Sequence, residues 1–213
     1  MAVLDGSLRF SLTFSMLNDS NNDNPTPAQR LFGLPPLIAD NTRLLVLGSF
    51  PGIASLTQQQ YYAHRQNQFW KIWQAIFPLG PCANPYVDPC ADPFRMGAAA
   101  TAGTDNYEQR THWLLQQGVG VWDVYASCER IGSLDSAIRA PQVNDFAALR
   151  QRCPQLRAIA HNGGESFRHA KYTAALGLPI YKLPSTSPAN ARWSFERKLA
   201  AWREVAAAVG LLA

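Results

Sequence analysis

The sequence predicts an α/β fold, a three-layer sandwich with a central four-stranded parallel sheet flanked by helices. Two patterns carry that expectation. Four short apolar runs, at 44–47, 119–125, 156–160 and 178–183, are separated by segments of helical spacing. That alternation builds a parallel sheet covered on both faces. The first run breaks into Gly48-Ser-Phe-Pro-Gly52 and the third into Asn162-Gly163-Gly164. A strand that ends in a tight Gly-containing loop is where such sheets hold their ligands.

Taken in order, residues 1–16 alternate Leu8, Phe10, Leu12 and Phe14, which fits an edge strand. Residues 18–28 are crowded with Asn, Asp and Pro and read as a linker. An N-terminal extension over 1–33, flexible in part, and a single α/β domain over 34–213 are therefore expected. After the first strand, Phe69, Ile72, Trp73 and Ile76 give residues 67–77 a helical stripe. Residues 78–105 form a Pro/Gly-rich insertion with a short helical piece near 94–100. A helix over 106–117 stops at Gly118 and leads into the second strand. Residues 127–138 read as loop, and 143–152 as a helix ended by Pro154. The third strand is followed by a helix over 165–176 with Gly177 as its stop. The fourth strand leads through a loop at 184–191 to an amphipathic helix over 192–209. Right-handed crossovers bring the loops at 48–62, 123–130, 162–166 and 184–191 to one edge of the sheet. A site built there draws on all four.

The bulk properties narrow the function classes. The chain has 213 residues, of which 47% are hydrophobic, enough for a full core. Lys and Arg number 19 against 15 Asp and Glu, a net charge of +4 that permits a polyanionic partner without requiring one. Cys82, Cys90, Cys128 and Cys153 include no Cys-x-x-Cys pair, so zinc and iron–sulfur spacings are missing and free thiols are expected. The N-terminus lacks the basic-then-apolar pattern of a secretory leader, and no window reaches transmembrane length. The expectation is a cytoplasmic monomer with no metal, no cofactor and no membrane.

The four loops suggest chemistry without fixing it. There is no nucleophile elbow, phosphate loop or dinucleotide fingerprint. Ser185, Thr186 and Ser187 precede the last helix, where they suit either a phosphate or simple capping. Tyr61 and Tyr62 fit stacking on a flat base or packing in the core. Asn67 carries an amide that can orient a water or bond a base edge.

Five segments together carry a resemblance. They are Gly48-Ser-Phe-Pro-Gly52, Tyr61-Tyr-Ala-His-Arg-Gln-Asn-Gln-Phe-Trp70, Val121-Trp-Asp-Val-Tyr-Ala-Ser-Cys-Glu-Arg130, Gly132-Ser-Leu-Asp-Ser-Ala-Ile138 and Leu183-Pro-Ser-Thr-Ser-Pro-Ala-Asn-Ala191. Over residues 43–209 the chain resembles the uracil-DNA glycosylase superfamily, and within it the hypoxanthine (deoxyinosine) branch. The resemblance implies an enzyme that flips a deaminated base out of DNA and hydrolyses its N-glycosidic bond, without metal or cofactor.

It also implies roles. Related branches place a water-activating Asp or Asn where this chain has Phe50, which has no polar atom. In the hypoxanthine branch the role falls to the Asn of Asn-x-Phe-Trp, here Asn67, which would hold the water at the sugar carbon. Ser185 stands where other branches steady the leaving oxygen. Gly48, Ser49 and Phe50 would line the base pocket, and Tyr62 would stack on the flipped base. Asp123 lies near a base-reading position and would either accept from hypoxanthine N1–H or act as a structural cap. Arg65, Ser187, Asn190 and Arg192 would contact DNA, with Asn190 or Arg192 filling the vacated stack because Ala189 replaces a relative's intercalating leucine. His64 fits a pocket residue or a packed histidine. The alternatives are a uracil or mismatch-specific glycosylase, a catalytically silent DNA-binding protein on this fold, and an unrelated small-molecule hydrolase.

Overall fold

The computed structural model describes residues 30–77 and 107–212. The edge strand expected in 1–16, the linker at 18–28 and the helical piece near 94–100 lie outside the described residues, as do Cys82 and Cys90.

The strands are β1 (Arg30–Phe32), β2 (Leu44–Gly48), β3 (Val119–Asp123), β4 (Tyr125–Glu129), β5 (Arg139–Val143), β6 (Ala158–Asn162) and β7 (Ile180–Leu183). The helices are α1 (Ile53–Gln58), α2 (Phe69–Ile76), α3 (Tyr107–Gln116), α4 (Leu149–Arg152), α5 (Gly164–Phe167), α6 (Ala170–Ala174) and α7 (Phe195–Ala208), with one turn of 3₁₀ helix at Asp135–Ala137. The central sheet runs β3-β2-β6-β7, every neighbouring pair parallel. This is the expected four-stranded parallel sheet flanked by helices.

β2 is buried from end to end because both its faces are covered. Leu44 and Val46 point to the face covered by α2 and α7, where Phe69, Ile72, Trp73 and Trp202 pack. Leu45 and Leu47 point to the other face, against Val124, Tyr125, Phe146 and Leu149. The period-two alternation of a strand thus divides one apolar run between two cores.

Several elements differ from expectation. The run at 119–125 is not one strand. At Val124 the chain leaves the parallel sheet, its N–H donating to Gly48 O (2.9 Å), and Tyr125 begins β4. Residues 127–138, expected as loop, contribute most of β4, which sits in an antiparallel sheet of order β1-β4-β5. β5 carries Pro141 and is mostly exposed, so no apolar pattern announces it; proline is tolerated there because β5 is an edge strand. The helix expected over 143–152 is reduced to α4, and the one over 165–176 is divided into α5 and α6. α7 starts at Phe195 rather than 192, where Ser194 Oγ accepts from Arg197 N–H (3.3 Å) as its N-cap. β1 precedes the expected domain start at 34 and pairs with β4.

Candidate active site

The C-terminal ends of β2, β3, β6 and β7 open into one cleft of about 550 Å³. Its walls come from the segments after those strands, joined by Ser133 to Ser136 from the β4–β5 connection. Gly48, Ser49, Phe50, Tyr62, Asn67, Asp123, Ser185, Ser187 and Asn190 all line it. Arg65 and Arg192 do not. Arg65 is exposed in a shallow hollow beside the cleft with His64 and Gln66, and Arg192 is exposed just ahead of α7.

Asp123 is a buried acid in the wall of the cleft. It ends β3 directly beside Gly48 in the parallel register. Its carboxyl is buried, and Oδ2 has no hydrogen-bond partner. Burial, and next the nearby Asp135 carboxylate, push its pKa up to about 8, against the opposing pull of the Arg130 guanidinium. At neutral pH this is a protonated acid, able to donate as well as accept.

The two tyrosines separate. Tyr61 is locked into the scaffold: its hydroxyl donates to Leu34 O (3.2 Å) or Pro35 O (3.0 Å), and its carbonyl accepts from Trp70 Nε1 (3.1 Å). Tyr62 faces the cleft, its ring stacked on Phe69 with centroids 3.9 Å apart and planes 19° from parallel. Its backbone is left-handed, at φ 55°. A bulky residue rarely adopts that conformation, and such strain gathers at functional sites.

Asn67 stands just ahead of α2. Its Oδ1 accepts from Phe69 N–H (3.0 Å), an N-terminal cap for a helix with no other side-chain cap. The next residue joins this segment to the serine loop, Gln68 N–H donating to Thr186 O (3.0 Å). Gln68 Oε1 in turn accepts from the buried Lys198 Nζ of α7 (2.8 Å). Asn67 and Ser185 are therefore held by one set of hydrogen bonds.

Within the serine loop, Ser185 Oγ accepts from Ser187 N–H (3.2 Å) and Ser185 O accepts from Asn190 Nδ2 (3.0 Å). Thr186 is fully buried and anchors the loop. Ser49 donates its hydroxyl to Asp135 Oδ1 (2.7 Å). Phe50 is buried in the second core with Arg130 Cζ 5.0 Å from its ring centroid, so it is a wall of the cleft.

Asn162 is the main residue the sequence reading left without a role. Its Nδ2 donates to Thr186 Oγ1 (2.9 Å) and Tyr62 Oη (3.2 Å), and its Oδ1 accepts from Thr186 N–H (2.9 Å). It ties the stacking tyrosine to the serine loop. The available signal was a polar residue ending an apolar strand just before Gly163-Gly164. Among the described residues no group of His, Cys, Asp or Glu is placed to hold a metal ion, and Cys128 and Cys153 are buried free thiols. No described helix is long and apolar enough to cross a membrane.

A parallel sheet with a cleft at its carboxyl edge, walled by an aromatic ring, amides and a buried acid, defines an α/β protein that takes its ligand beyond the strand ends. The model of the uracil DNA glycosylase superfamily matches residues 35–206, and the chain belongs to that superfamily. It is 30% identical to the hypoxanthine DNA glycosylase of Methanosarcina barkeri over 81% of this chain and 95% of that one. It is 31% identical to the hypoxanthine DNA glycosylase of Methanosarcina acetivorans over 78% of this chain and 92% of that one. A solution structure of a candidate uracil DNA glycosylase from Methanosarcina acetivorans superposes with a TM-score of 0.67 at 29% identity, covering 85% of this chain and 99% of that one.

Proposed function

We propose that this chain is a monofunctional DNA glycosylase that flips hypoxanthine out of deoxyinosine-containing DNA and hydrolyses its N-glycosidic bond, leaving an abasic site. The reading carries with it a monomeric, cytoplasmic enzyme whose catalytic domain is residues 34–213 with β1 added. The observation that supports it best is the convergence of Tyr62, Asn67, Asp123 and Ser185 on one cleft, in a chain about 30% identical to two hypoxanthine DNA glycosylases.

In this reading the flipped base extends the Phe69–Tyr62 stack. Asp123 faces its Watson–Crick edge, accepting from N1–H through one oxygen and donating through the other. A water oxygen forms the new bond to C1′ while the bond from C1′ to the base nitrogen breaks. The base leaves with that electron pair and takes up a proton, and the water proton passes to solvent. Charge builds on the departing base, so a neutral Asp123 supports it where a carboxylate would repel it. Asn67 orients the water through the lone pair of Oδ1 not used by Phe69, or through its Nδ2. Ser185 supports the leaving base, and Ser187, Asn190, Arg65 and Arg192 reach phosphates around the cleft.

The test is cleavage of oligonucleotides holding one hypoxanthine or one uracil, with alkaline scission of the abasic product. Strand scission at hypoxanthine is expected. Scission at uracil alone would replace the reading with a uracil enzyme, and scission at neither would refute a glycosylase.

A further inference from the structure

Ala189 is too small to plug the gap left when a base leaves the stack, so the wedge must come from elsewhere. Among the described residues, Ile131 (82% exposed), Phe32 (70%), Leu134 (61%), Ile53 (52%) and Tyr172 (44%) are large hydrophobic side chains left in solvent. Ile53 and Leu134 line the mouth of the cleft, on the wall supplied by α1 and the β4–β5 connection. Single exposed apolar residues need no explanation. Ile131 and Leu134 differ in being carried on a braced connection beside the cleft, against Ile53 of α1.

The braces are specific. Ser133 Oγ accepts from Ile53 N–H (2.9 Å), and Asp135 Oδ1 accepts from the Ser49 hydroxyl (2.7 Å). Arg139 Nη1 donates to Ser136 O (2.9 Å) and Ile138 O (2.8 Å), closing the base of the connection. Gly132 turns the tip at φ 76°, with open space where a β-carbon would be. A connection pinned at 133, 135 and 136 while its leucine stays in water has lost entropy without burying apolar area. That expense is recovered if a ligand covers the tip. Proteins that distort duplex DNA insert such aliphatic side chains between base steps.

We propose that the β4–β5 tip is the wedge of this enzyme, with Leu134 entering the stack vacated by the flipped nucleotide and Ile131 packing on the flanking sugar. The occupant is duplex DNA at the lesion, because the tip is continuous with the cleft that takes the base. This rests on the glycosylase reading above. It assigns the plug to the β4–β5 connection rather than to Asn190 or Arg192.

Full-length wild type, Leu134→Ala and Leu134→Gln are compared on three substrates: a hypoxanthine duplex, the same strand alone, and a duplex with pyrene opposite the lesion. A wedge matters only where a stack must be opened and held open. Leu134→Ala is expected to lower duplex kcat/KM by about tenfold or more. It should leave the single strand within about twofold of wild type, and pyrene, which fills the gap itself, should restore most of the loss. Leu134→Gln should behave the same way. No loss on the duplex, or an equal loss on all three substrates, would overturn the wedge and give the tip to another partner. If wild type cleaves none of them, the glycosylase reading has failed instead. The wedge is then judged by 2-aminopurine fluorescence beside an abasic site. A rise on wild-type binding that Leu134→Ala lacks supports it, and equal signals refute it.

Discussion

Asp123 occupies the space that a β-carbon on Gly48 would need: such a carbon would collide with its Oδ1. The two residues face each other in the parallel register at the ends of β2 and β3. Glycine at 48 is thus what lets the acid reach the cleft floor. Its backbone φ is not the reason, because Gly48 is not among the positive-φ residues. Gly48→Ala should push Asp123 off its position. Overpacking of this kind costs about 1–3 kcal/mol, visible as a lower Tm. Hypoxanthine cleavage should fall by more than that loss of folded protein explains, measured as kcat/KM well below the Tm.

The protonation of Asp123 sets a pH dependence with a definite sign. Burial raises its pKa from 3.8 to about 8. Between those values the folded chain keeps a proton that the unfolded chain has lost. Stability therefore falls as pH rises through that window, by up to about 1.4 kcal/mol per pH unit. Asp123→Asn removes the titration, so its unfolding free energy should be flatter between pH 5 and 8 in urea melts. Cleavage by wild type should decline above about pH 8 as the acid ionises, and Asn should remove that decline. Asp123→Ala should lose activity at every pH. A wild-type profile that stays flat to pH 10 would rule out the neutral acid.

Asn67 has two duties that substitution can separate. Ala removes both the cap on Phe69 N–H and the proposed hold on water. Loss of such a cap costs about 0.5–2 kcal/mol. Asp keeps an acceptor at the helix start, where its charge is also favourable, so Asn67→Asp should melt at or above the wild-type temperature. If Asn67 orients the water, Asn67→Ala should lower the single-turnover cleavage rate by about 100-fold while duplex affinity changes little. A rate drop no larger than its stability loss predicts would leave Asn67 with the cap alone.

The parallel sheet and the loops at its carboxyl edge were legible in the sequence, and the second sheet beside them was not. The loops at 48–62 and 184–191 were legible because Gly, Pro and hydroxyl residues interrupt apolar runs there. The parallel sheet was legible because β2, buried on both faces, reads as an unbroken apolar run, and β6 opens with the apolar Ala158-Ile159-Ala160 before it ends in His161 and Asn162. The antiparallel sheet was not. β5 exposes most of its side chains and is hydrogen-bonded to β4 through a side chain only where Gln142 Oε1 accepts from the Ser127 hydroxyl, so nothing periodic marks it. The switch at Val124 was hidden because Asp123, Val124 and Tyr125 are all buried, each sheet using its own side of the same run. Asn162 was passed over because its importance lies in contacts with Tyr62 and Thr186, 100 and 24 residues away in the chain.

That network supports a last prediction. Tyr62 holds a left-handed backbone, stacks on Phe69 and accepts from Asn162. Tyr62→Phe keeps the ring and removes only the acceptor, and Asn162 still has Thr186 as a partner. Its cleavage rate should stay within a few-fold of wild type, at a cost near 1 kcal/mol for one hydrogen bond. Tyr62→Ala removes the ring, and base–aromatic stacking is worth about 1–3 kcal/mol, so kcat/KM should fall by roughly 5- to 150-fold. Asn162→Ala goes deeper, since it strips Thr186 N–H and Oγ1 of their partners inside the protein; buried groups left so cost about 1–3 kcal/mol each. It should lower Tm more than either tyrosine variant and loosen Ser185 and Asn67 together, because the serine loop is bonded to Gln68 through Thr186 O. Cleavage by Asn162→Ala should therefore fall below that of Tyr62→Ala even at low temperature, where both remain folded. The opposite order would mean that the ring, and not the network behind it, governs the site.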